Sequence, residues 1–114
     1  MIIGDKVFFD QQLNERQRHR AVVRTRRGKA VKKHLLIVRI AGDENLLEIL
    51  TFREVKRLNE RHKVMALAGV AKNRDGAFKV VEDMAIAVAK AHGTMTKETL
   101  DKELGIIWTL TKDI

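Results

Sequence analysis

Residues 16–34 read RQRHRAVVRTRRGKAVKKH, with nine Arg or Lys side chains and no acid. How this stretch folds decides the shape of the N-terminal half. Val22, Val23 and Thr25 are β-branched and favour extended backbone. Gly28, inside RRGK, supplies the positive φ that a tight turn needs. The pattern predicts a basic β-hairpin, with AVVRT as one strand and AVKKHLLIVRIA as the other. On such a strand Arg16, Arg18, Arg20, Arg24 and Arg26 share one face, with neighbours about 6.5–7 Å apart. That matches the spacing of phosphates along an extended nucleic-acid strand.

Working outward, IIGDKVFFD reads as a first strand, with Ile3, Val7 and Phe9 on one side. The polar QQLNERQRHR allows either a helical turn or an exposed lead into a strand. Downstream, GDEN (42–45) is a turn, and LLEIL is a short strand or the approach to a helix. Thr51 and Glu54 have capping-box spacing, so a helix is expected from Phe52. Val55, Leu58, His62 and Met65 form its apolar stripe, which places His62 as a packed histidine. VMALAGVAK either continues that helix or forms a strand, and its Ala and Met content leans to helix. KNRDG breaks the chain, a second helix spans about 77–92 with Gly93 at its end, and a third follows Thr96 and stops at Gly105. IIWTL is expected to return to the sheet as a strand. The predicted fold class is α+β: a small N-terminal antiparallel sheet with a basic β-hairpin, packed by two or three C-terminal helices. The 114 residues suit a single domain, with 16–39 as the hairpin arm and 52–105 mainly helical.

Charge is the main functional clue. The net charge is +8, and residues 16–39 alone hold ten cations and no acid. They are Arg16, Arg18, Arg20, Arg24, Arg26, Arg27, Lys29, Lys32, Lys33 and Arg39. The remaining residues hold 13 basic and 15 acidic side chains, so one segment carries the whole excess. Like charges this dense repel one another and call for an anionic partner. Arginine predominates, and its planar fork suits bidentate phosphate contacts and stacking on bases. These ten residues are the expected nucleic-acid contacts, mainly electrostatic and weak in sequence readout.

Other classes find less support. Cys and Ser are absent, and no Thr lies in an activating motif. The four histidines lack metal-ligand spacing, and no glycine-rich phosphate loop is present. Asp43, Glu44, Glu48 and Glu54 with nearby Lys56 would be a nuclease-like set, but turn and capping roles explain them more simply. The expectation is therefore no enzyme, no cofactor and no metal. No apolar run is long enough to span a bilayer, and MIIGDKVFFDQQ lacks the features of a signal peptide. Together with the absence of Cys, this points to the cytoplasm, or to the host cytoplasm for a viral protein. The expected partners are the DNA or RNA backbone and a second copy of the chain, as homodimer or higher oligomer, with no membrane. The alternative is an assembly protein of viral or mobile-element type. It would self-associate through VMALAGVA and MAIAVAKA and dock the basic arm on an acidic protein.

Overall fold

The computed structural model describes residues 1–31 and 33–108; Lys32 and residues 109–114 lie outside the described residues. The element order is β1 (Ile2–Phe9), α1 (Glu15–Arg26), β2 (Leu35–Ile40), β3 (Glu48–Leu50), α2 (Phe52–Glu60), β4 (Met65–Ala71), α3 (Arg74–His92) and α4 (Lys97–Leu104). The four strands form one sheet in the order β1-β4-β2-β3. The α+β class and the small size of the sheet are as expected from sequence, but the sheet is mixed and not antiparallel throughout, because β1 and β4 are parallel.

The basic hairpin is not formed. Residues 15–26 are helix α1, started by an Asn14–Gln17 capping box in which each side chain bonds the other residue's backbone N–H. Ala21 and Thr25 are buried and Val22 packs against the same side of the sheet, so two of the three β-branched residues face inward from a helix. Gly28, with φ 68°, lies just beyond the C-cap Arg27 and not in a hairpin turn. Packing of one helical face outweighs the weak β-propensity of three residues.

A second correction concerns VMALAGVAK, whose residues 65–71 are strand β4 and not helix. All seven are buried, because β4 is central and covered on both faces. Such a strand reads as a continuous apolar run, and alanines fit where helices press on both sides. β4 pairs with β1 in parallel and with β2 antiparallel, so the sheet is mixed. At the β2 pairing, Ile37 stands opposite Gly69 and Val38 opposite Leu67, which makes Ala68 the extra residue of a bulge. The bulge explains a change of parity: Met65, Leu67 and Val70 join one core, and Ala66, Ala68 and Ala71 the other.

Those two cores define three layers. Leu36, Val38, Leu67 and Val70 meet Leu13, Ala21 and Val55 on the α1/α2 side. Ile37 and the β4 alanines meet Val80, Met84, Val88, Leu100 and Leu104 on the α3/α4 side. Gly4 has no room for a Cβ, which would strike the carbonyl of Leu104; its absence lets β1 lie against the end of α4. α2 ends at Glu60, so His62 falls beyond the helix and is exposed, not packed. Ile106–Trp108 form no strand, and the rest of the expected IIWTL strand lies outside the described residues.

Candidate nucleic-acid interface

Because β1, β3 and β4 run the same way, their C-terminal ends share one end of the sheet. α1, α2 and α3 start there, at the N-caps Asn14, Thr51 and Asn73. α1 leaves β1 toward one face and α3 leaves β4 toward the other, which opens a crevice between two adjacent parallel strands. Open α/β sheets place ligands at such a reversal. The N–H groups of three helix starts also bias the region toward anions.

Asp10 fastens this end. It is 5% exposed, and its carboxylate accepts the backbone N–H of Gln12 and of Lys72, each at 3.0 Å. The carboxylate thus joins the β1–α1 turn to the β4–α3 turn. It also fills the space beside Gly76, where a Cβ would collide with it. Burial alone would raise its pKa, but the backbone bonds from Gln12 and Lys72 and the Lys72 charge outweigh burial and hold it below 3.8. A depressed carboxylate pKa adds stability above the unfolded-state value and loses it as pH falls through the folded value. Asp10→Asn is expected to cost about 1–3 kcal/mol at pH 7 and to flatten the fall in urea midpoint below about pH 4. Equal acid limbs in the two proteins would remove Asp10 from that account.

The ten residues predicted to contact nucleic acid do not act alike. Arg16, Arg20, Arg26, Arg27, Lys29 and Lys33 are exposed, and none is in an ion pair among the described residues. On a helix, positions 16 and 20 lie about 40° apart with a rise of about 6 Å, and Arg27 is the C-cap just beyond the last turn. The five-rung ladder expected on a strand is not formed; α1 keeps a shorter basic ladder, with Arg16 and Arg20 on one exposed face and Arg27 at the C-cap. Arg24 borders it and donates from Nε to the Ala30 carbonyl at 2.6 Å, which steadies the loop after α1.

Two of the ten are structural. Arg18 turns inward, donates to the carbonyls of Leu13 and Asp10, and lies 5.4 Å from the Phe9 ring centre. Arg39 points to the opposite side of the sheet. It is 4% exposed, bonds both carboxylate oxygens of Asp101, donates to the Leu46 carbonyl and faces the Trp108 ring. Arg39 is removed from the candidate interface because it is buried and already paired. Lys32 lies outside the described residues.

Beside α1 runs a groove formed by two cavities of about 380 and 600 Å³ that share Ala30, Val31, Lys33 and His34. Gln17, Arg20 and Arg24 form one wall. Thr51, Phe52 and Arg53 from the start of α2, with Lys72 and Asn73, form the other. No carboxylate lines either cavity. Lys33 at its centre has φ 65°, a left-handed conformation uncommon outside glycine. Sequence reasoning missed Lys72, since only the convergence of helix starts brings it opposite α1.

The acidic set behaves differently. Asp43, Glu48 and Glu54 meet around a separate cavity of about 450 Å³, with Arg57 and Lys63. Glu54 is committed to capping Thr51, and Glu48 accepts from Asn45. Among the described residues no group of three or more His, Cys, Asp or Glu could hold a metal. No helix among them is long and apolar enough to cross a membrane. Comparison with protein-family models, curated proteins and solved structures finds no match to this chain.

Proposed function

We propose that this protein binds nucleic acid through its phosphate backbone, with the α1 ladder and the adjoining groove as the contact surface and no chemistry of its own. The observation that carries the reading is the row of α1 cations outside any ion pair among the described residues, of which Arg20 and Arg24 wall a groove that no carboxylate lines. Elsewhere acids are interspersed with the cations, and some pair with them, for example Lys6–Glu103 and Lys79–Asp83, whereas residues 16–39 contain no acid. Here the cations are left for an external anion. Solubility alone would be served by mixed charges, and single-sign fields serve encounter with a charged partner.

The assembly reading loses one of its two self-association helices, because VMALAGVA is the buried centre of the sheet. The test is a titration of labelled DNA and RNA at several salt concentrations. Five or six phosphate contacts give a slope of log K against log salt of about −4.5 to −5.5 on duplex and about −3.5 to −4 on a single strand. A slope near zero, or no binding at low salt, overturns the proposal.

A further inference from the structure

Resting on that reading, we infer that the groove takes a single strand with splayed bases, and that Phe78 is an exposed platform on which one base stacks. Phe78 is 55% exposed in a chain with five aromatic residues. Its place follows from the groove. Lys72 and Asn73 line the groove, Arg74 is next in the chain, and the Arg74 guanidinium lies 5.8 Å from the Phe78 ring centre. A strand leaving the groove past Lys72 meets a cation and an open ring within the first turn and a half of α3. Inside the groove the Phe52 ring and the His34 imidazole lie among the cations.

Cations that track a backbone, interleaved with rings, are the two elements of single-strand binding. A duplex keeps its bases stacked and paired, so rings set beside the phosphates would find nothing to stack on. An apolar docking face is the less favoured use of Phe78. The next exposed apolar side chain of α3 is Ile86, two turns on, and exposed Glu82 lies between them on the same face.

The experiment compares a labelled single strand, the duplex of the same sequence, and an abasic strand of equal length at about 0.15 M salt. Each is titrated with the wild type and with Phe78→Ala, Phe78→Leu and Phe78→Trp. The expected result is single-strand binding at least tenfold tighter than duplex. Phe78→Ala and Phe78→Leu should lose about 5- to 100-fold on the single strand and nothing on the abasic strand, while Phe78→Trp retains affinity. Because the ring is exposed, thermal midpoints should not move. Equal binding of strand and duplex, or unchanged affinity in Phe78→Ala, overturns the inference and leaves backbone binding standing. Binding to none of the three, or equal displacement by polyglutamate, overturns both.

Discussion

Asp101→Ala is expected to destabilise the protein by about 3–5 kcal/mol, since it strands a buried guanidinium. Arg39 lies on the central part of the sheet with 5% of its side chain exposed, and both oxygens of Asp101 receive its N–H groups at 2.8 and 3.1 Å. Asp101 also accepts from the Trp108 indole at 2.8 Å. Its removal therefore leaves the Arg39 guanidinium without its carboxylate and takes one acceptor from the Trp108 indole. Most of the cost is the unpaired charge, not the net strength of the pair. The double change Arg39→Met with Asp101→Leu should recover most of the loss, because well-packed apolar groups often match a buried ion pair. Urea unfolding of the single and double variants checks this. An Asp101→Ala variant within about 1 kcal/mol of the wild type would show that the cluster carries little of the stability.

Replacing Arg16, Arg20 and Arg27 together by Gln is expected to weaken single-strand binding about 100-fold at 0.1 M salt. Each phosphate contact on a single strand contributes about 0.7 to the salt slope. Three contacts thus account for about two units of slope, and for about two decades of affinity at 0.1 M. The fold should tolerate the change, since the three side chains are exposed and none is in an ion pair among the described residues. Arg27 alone carries a modest structural role, complementing the negative end of the α1 dipole. A matched control, Lys79→Gln on α3, should leave the slope unchanged. Parallel slopes for the triple variant and the wild type would place the contact surface elsewhere.

The chain announces its helix starts and stops more clearly than its helix identities. Thr51, Thr96, Gly93 and Gly105 mark boundaries that the structure places at the same positions, because capping satisfies specific backbone groups within a few residues. The same signal at Asn14–Gln17 was there to be read, yet Val22, Val23 and Thr25 argued for a strand. That Thr25 is buried and that Val22 packs against the core of Leu36 and Leu67 is a tertiary fact that local preference does not contain. β4 failed in the opposite sense: its alanines suggest a helix until its burial on two faces is known. The cationic partner set was half legible. The ladder residues follow from charge density alone, whereas Arg39 and Arg18 differ from their neighbours only by which face they meet. Arg53 and Lys72 join the groove across the sheet's end, a juxtaposition made by topology.

The position of β4 has a consequence for how the molecule is made. Both its neighbours, β1 and β2, precede it in the chain, and β1 has no other partner in the sheet. During synthesis at about 5–20 residues per second, β1 waits roughly 3–12 s for residues 65–71 to be made. Until then α1 has no complete sheet to cover, and its cations are on display beside the RNA of the machine that builds them. The nascent chain is in this sense a basic peptide before it is a folded protein. A slow β1–β4 closure would lengthen that interval and keep those cations uncovered for longer.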